Sequence, residues 1–300
     1  LNTKTCIIIA GPTAVGKTSV GIEVARHFNT SIISADSRQC YKELNIGVAK
    51  PSEAELLQVP HFFISTHSVN DNLTAVDFEH YALLAINKIF TNNDIAVIVG
   101  GTGLYIKAFC EGLDSIPKVP SSVRDFITEG YEQNGLEWLI QMIKEKDPLY
   151  YNSGEILNPQ RVMRALEIVL STGESILSYQ KGVKKNRNFN IVKIALELPR
   201  NVLYDKINLR VEDMMKLGLL DEVRGLIGVR HLNALQTVGY RELFEYIDGK
   251  ITLEEAVGLI QQNSRHYAKR QLTWFRKDAD FKWMPPDSAN VIDHVKQLMK

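Results

Sequence analysis

The sequence predicts an α/β fold, a parallel sheet flanked by helices and interrupted by a helical insertion. Three observations carry that expectation. Short apolar runs rich in β-branched residues alternate with amphipathic stretches through the first hundred residues. The first of those runs passes through a glycine-bearing loop directly into a helical pattern. From about residue 121 to 180, helical periodicity continues with no strand-like run.

Residues 6–10 form a first strand, and 18–28 a helix with Val20, Val24 and Phe28 at helical spacing. Residues 31–35 give a second strand. Residues 74–90 are amphipathic and begin with Thr74-x-x-Asp77, the acidic variant of a capping box. Residues 95–99 are an unbroken apolar strand ending in Gly100-Gly101. Pro117 and Pro120 precede the all-helical stretch, and a basic, Asn-bearing run follows it. A strand returns over 191–198, stopped by Pro199, and helices follow over 202–217 and from 253 to about 277. In the last of these, Ala268, Leu272 and Phe275 share one inward stripe. The domain expectation is therefore a core of 1–117 with 191–300, and a helical insertion over 118–190.

A chain of 300 residues, 45% hydrophobic and 23% charged, suits one core with one inserted unit. No apolar run approaches the roughly 20 residues of a membrane span. The first strand is too short for the apolar region of a signal peptide. Cys6, Cys40 and Cys110 are scattered, which speaks against structural zinc or a disulfide framework. A cytoplasmic monomer is the expectation. The 35 basic and 35 acidic residues cancel, but unevenly: stretches 181–187 and 265–277 are basic without a single acid. Such runs are either solvated faces or a footprint for nucleic acid.

Gly11-Pro12-Thr13-Ala14-Val15-Gly16-Lys17-Thr18 matches the P-loop pattern G-x-x-x-x-G-K-[ST], between a strand and a helix as the motif requires. The glycines let successive N–H groups turn toward an anion, and the helix start adds its positive dipole end. Lys17 supplies a point charge, and Thr18 a hydroxyl suited to Mg²⁺. The motif specifies a polyphosphate ester without naming it. Hydrolases of this P-loop NTPase-like fold usually carry an acid after an apolar strand; here that place holds Gly100-Gly101-Thr102. The second strand instead ends in Asp36, nineteen residues after Lys17. Strand ends converge on the ligand crevice of a parallel sheet, so Asp36 is a candidate proton acceptor, or else caps the following turn.

Further motifs carry a resemblance. They are Asp36-Ser37-x-Gln39-x-Tyr41-Lys42, Ile46-Gly47-x-Ala49-Lys50-Pro51, and Val99-Gly100-Gly101-Thr102-Gly103-Leu104-Tyr105. Later come Pro159-Gln160-Arg161-x-x-Arg164-Ala165-Leu166-Glu167, Val238-Gly239-Tyr240-Arg241, and Lys269-Arg270-Gln271-x-Thr273-Trp274-Phe275-Arg276. In order and spacing these resemble the tRNA dimethylallyltransferase family, bacterial type, over essentially the whole chain. The resemblance implies that the P-loop cradles dimethylallyl diphosphate. It implies that the exocyclic amine of the adenosine 3′ of the anticodon attacks the allylic carbon and expels pyrophosphate. Asp36 then resembles the general base, Thr102 a contact at the reaction channel, and Arg210 the family's diphosphate arginine. Asp36, Ser37, Arg38, Gln39, Thr102, Arg124 and Gln160-Arg161-Val162-Met163-Arg164 match stretches that touch the tRNA anticodon stem-loop. Lys269, Arg270 and Arg276 give the late helix a basic edge that would join them.

The chain departs from the family pattern at Val48, at Phe62 and Ser65, and around Asn158. Two other functions stay open. An adenylate isopentenyltransferase would run the same chemistry on a free nucleotide, and a P-loop kinase or nucleotide switch would use the loop differently.

Overall fold

The computed structural model describes residues 4–299. Six parallel strands form one sheet in the order β3-β2-β4-β1-β5-β6. They are β1 (Thr5–Ala10), β2 (Ile32–Ala35), β3 (His61–Phe62), β4 (Ile95–Gly100), β5 (Asn190–Leu196) and β6 (Lys282–Met284). The central strands β1, β2 and β4 are buried along their whole length, as a sheet covered on both faces demands. The α/β expectation is met. The sequence reading missed β3 and β6, two short edge strands whose half-buried or exposed residues lack an apolar run.

The helices before the insertion are α1 (Lys17–His27), α2 (Glu53–Leu56), α3 (Ala75–Ile89) and α4 (Gly103–Glu111). Those of the insertion are α5 (Ser121–Lys146), α6 (Pro148–Ser153) and α7 (Pro159–Thr172). After it come α8 (Arg200–Lys216), α9 (Leu219–Gly225), α10 (Tyr240–Ile247), α11 (Leu253–Phe275) and α12 (Ser288–Leu298). The capping box starting α3 is reciprocal: Asp77 N donates to Thr74 Oγ1 at 3.3 Å, and Thr74 N to Asp77 Oδ2 at 2.8 Å. In α11, Ala268 and Phe275 are buried and Leu272 joins the sheet's core cluster, while Lys269, Arg270 and the C-cap residue Arg276 are exposed.

The chain divides into two compact units. One comprises Leu1–Glu111 with Asn186–Lys300, the other Gly112–Lys185. The second has its own core, in which Leu139 and Ile143 of α5 meet Val162, Ala165, Leu166 and Ile168 of α7. Gly135, at φ 72°, breaks α5 into two helical segments.

Candidate active site

Three loops meet at the carboxyl ends of β1, β2 and β4, whose registers align Ala10 and Ala35 with Gly100. The P-loop follows β1. Gly11 takes φ 147°, and a Cβ there would lie 2.8 Å from the Leu196 carbonyl oxygen. Gly16 caps α1 at φ 103°, and Ala14 is held in the left-handed region at φ 63°. Such strain in a non-glycine residue persists only where its surroundings hold it.

Gln271 of α11 closes this loop from the side. Its Oε1 accepts from Thr13 N at 2.8 Å, and its Nε2 donates to the Gly101 carbonyl at 2.9 Å. A Cβ on Gly101 would stand 2.2 Å from Gln271 Nε2, so a larger residue there would displace that amide from its two bonds. At Gly103 a Cβ would meet the exposed Trp274 ring at 2.2 Å, so that ring would have to swing aside.

Lys17 and Arg210 are the cations of the site. Both are half-buried. The Lys17 ammonium turns back to donate to the Pro12 carbonyl at 2.7 Å. Burial, and then the neighbouring Arg210, pull its pKa down from 10.5 to about 7, with Asp36 opposing. Arg210 Nη1 donates to Thr13 Oγ1 at 3.4 Å, and burial lowers its pKa while Asp36 again opposes. Two crowded cations beside one carboxylate make a pocket short of negative charge. An anion of two or more charges relieves that crowding.

Asp36 begins the turn after β2. Its Oδ1 accepts from the amides of Arg38 at 2.9 Å and Gln39 at 3.3 Å, so it does cap the turn. Both amides go to one oxygen, which leaves Oδ2 for the site. Thr102 Oγ1 accepts from Ser37 N at 3.0 Å, tying the β4 loop to the same turn. At Tyr267 of α11, burial first, then the Asp36 carboxylate, raise the phenol to about 12. Thr18, Ser34, Gln39, Pro51 and His61 line a small open cleft beside the P-loop.

The implied Mg²⁺ fits this donor set. A hard cation held by one protein hydroxyl and substrate phosphate oxygens needs no acidic cage. Thr18, half-buried in the first turn of α1, is the residue that would supply that hydroxyl.

The expected RNA contacts fall in separate places. Ser37, Arg38, Gln39 and Thr102 lie at the strand ends with Asp36. Gln39 is largely occupied internally: its Nε2 donates to the Val48 and Ala49 carbonyls at 3.3 and 3.0 Å. In the insertion, the buried Glu167 carboxylate takes Arg124 on one oxygen at 3.1 Å and Arg164 on the other at 2.7 Å. Gln160 and Arg161 are exposed in the first turn of α7, which Asn158 caps, and Met163 is half-buried. Val162 is corrected: it is wholly buried in the insertion's core and offers nothing to a partner. It shares the quoted stretch only because helical periodicity turns one residue in it inward. Arg276 lies 3.7 Å from Glu197 and its guanidinium 5.5 Å from the Trp283 ring.

Sequence reasoning gave no role to Gln271, Tyr267 or Tyr240. Gln271 and Tyr240 stood inside quoted motifs, and that was their only signal.

Among the described residues no helix is long and apolar enough to cross a membrane. The model of the family described as IPP transferase matches residues 39–278. The tRNA dimethylallyltransferase of Christiangramia forsetii is 47% identical over 292 residues, 97% of each chain. A tRNA dimethylallyltransferase 1 of Phocaeicola vulgatus is 45% identical over 96% of each. Among solved structures, the tRNA isopentenylpyrophosphate transferase of Bacillus halodurans superposes with a TM-score of 0.71. It is 35% identical, over 99% of this chain and 95% of that one. A eukaryotic dimethylallyltransferase described as acting on tRNA gives 0.76 at 25% identity, over 96% and 75%. With a family model spanning most of its length and relatives matching it end to end, this chain belongs to the IPP transferase family.

Proposed function

We propose that this chain transfers a dimethylallyl group from dimethylallyl diphosphate to the exocyclic amine of the adenosine 3′ of the anticodon in tRNA. The names of its relatives support the reaction class. The observation that carries the reading is the grouping of Lys17, Arg210, Thr13 and Asp36 where three strand ends meet. The P-loop amides, Lys17 and Arg210 hold the diphosphate. The adenine nitrogen lone pair attacks the allylic carbon as the carbon–oxygen bond breaks, and that electron pair leaves on pyrophosphate. Lys17 and Arg210 meet this charge as it grows, which favours the transition state over the bound donor. Asp36 Oδ2 takes the proton the amine loses, and Thr102 holds the Asp36 turn against the β4 loop. When bound, Mg²⁺ neutralises part of the diphosphate charge, held by Thr18 and phosphate oxygens.

An adenine stacked in an anticodon loop must be turned out before its amine can react. The exposed basic edge of α11 is suited to the phosphates around it.

Labelled dimethylallyl diphosphate offered against unmodified tRNA, AMP and ATP tests the reading. Label is expected in tRNA alone, on one adenosine of the anticodon loop. Label in AMP or ATP would make the chain an adenylate isopentenyltransferase. Steady ATP hydrolysis lost in Lys17→Ala would make it a nucleotide hydrolase or kinase.

A further inference from the structure

Two quoted motifs, Ile46-Gly47-x-Ala49-Lys50-Pro51 and Val238-Gly239-Tyr240-Arg241, take no part in the chemistry above. In the fold they meet, and Glu222 of α9 stands between them. Its Oε2 accepts from the amides of Asn45 at 3.0 Å and Ile46 at 2.8 Å. Its Oε1 accepts from the Gly47 amide at 3.0 Å and the Tyr240 hydroxyl at 2.6 Å. Tyr240 is wholly buried, and a Cβ on Gly47 would lie 2.6 Å from its ring. Three consecutive amides turned toward one point form an anion nest, and here the chain supplies the anion itself.

The loop so gripped is closed on itself. Ala49 N donates to Ile46 O at 2.9 Å, and Lys50 N to Asn45 O at 3.1 Å. Lys50 Nζ adds bonds to the Tyr41 carbonyl and Asn45 Oδ1 at 2.8 and 2.9 Å. Ala49 sits in the left-handed region at φ 44°, a cost the surrounding bonds must offset. On its far side the loop receives Gln39 Nε2 through the Val48 and Ala49 carbonyls. The backbone amide of that same Gln39 donates to Asp36 Oδ1. Contacts therefore run unbroken from Glu222, through residues 45–49, to Gln39 and Asp36.

We infer that Glu222 is a positioning residue for the transfer reaction: with Tyr240 it makes the 45–49 loop a rigid brace behind Gln39, fixing the turn from which Asp36 meets the acceptor amine. The inference rests on the proposed role of Asp36 as base. A misplacement of about 1 Å at such a group costs up to ~10²-fold in rate, so a brace remote from the reacting atoms has kinetic weight. Donor binding has its own support, since the P-loop is held by Gln271 and by its own backbone.

The test compares wild type with Glu222→Gln and Tyr240→Phe. Glutamine keeps the size but turns an NH₂ toward amide donors, so at least one bond of the nest is lost. Four quantities are measured: amide exchange at residues 38, 39 and 45–47, single-turnover transfer at saturating donor and tRNA, donor Kd, and Tm. In Glu222→Gln, exchange is expected to quicken at both 45–47 and 38–39. Single-turnover rate should fall by ~10-fold, with donor Kd within about threefold and Tm lowered by only ~3 °C. Tyr240→Phe should show the same pattern more weakly. Faster exchange confined to 45–47 with an unchanged rate overturns the inference. So does a rate loss matched by equal losses of donor affinity and Tm, which marks a structural prop only. If the wild type transfers no prenyl group, the functional reading fails. The coupling of exchange between 45–47 and 38–39 still decides whether the brace exists.

Discussion

Gln271 accepts the amide proton of Thr13 at 2.8 Å across 258 positions of sequence. One side chain, 6% exposed, thereby joins the P-loop to the Gly101 carbonyl of the β4 loop. Replacement by leucine leaves the buried Gly101 carbonyl unpaired, at about 1–3 kcal/mol, and the half-buried Thr13 amide unpaired at a smaller cost. Gln271→Leu should lose ~5–10 °C in Tm and bind dimethylallyl diphosphate more than ~10-fold less tightly. Thermal melts with and without donor check both. A variant as stable and as tight as wild type would show the clamp to be idle.

Lys17 gives a pH dependence with a definite sign. Its folded pKa is about 7 against 10.5 ordinarily, so between those values the unfolded chain holds a proton that the folded protein does not. Stability should therefore rise with pH through that window, the penalty being fully present below about 7. A bound diphosphate reverses the balance by restoring the charge. Donor binding at pH 8 should then take up nearly one proton, read from titration calorimetry in buffers of differing ionisation enthalpy. Lys17→Met should abolish the uptake and weaken binding by roughly 10–10²-fold. It should also raise Tm at pH 6–7 by ~2–4 °C. Binding without proton uptake would contradict the depressed lysine.

Asp36→Asn keeps the oxygen that caps the turn and removes the proton acceptor. The expected result is a kcat lower by ~10²-fold with tRNA affinity nearly unchanged. Near-normal kcat with a greatly raised KM for tRNA would reduce Asp36 to its capping contacts with Arg38 and Gln39.

Lys269 of α11 and Arg276, which caps it, are exposed, and Arg276 lies beside Glu197 and the Trp283 ring. The double alanine variant should weaken tRNA binding and flatten its salt dependence by about one to two units of slope. Single-turnover chemistry at saturating tRNA should change little. Unchanged affinity across a salt titration, with the circular dichroism spectrum intact, would remove this edge from the recognition surface.

What the sequence determined by itself was what repeats or closes locally. The buried strands β1 and β4 announce themselves because every residue along them is apolar or small. The box of Thr74 and Asp77 is legible because both its bonds span three residues. The P-loop needs only its own glycines, its lysine and the helix that follows. Asp36 was named from its place at a strand end and Arg210 from the family resemblance, and the fold sets both beside Lys17. Tertiary structure alone decided which side chains hold these loops in place. Gln271 reaches Thr13 across 258 positions, and Glu222 reaches Gly47 across 175. Neither contact leaves a periodicity, because a hydrogen bond between distant loops depends on where the sheet puts them. Burial decided the rest: Val162 and Arg161 are neighbours in one motif, yet one lies in a core and the other faces solvent, because a helix rotates each successive residue by about 100°.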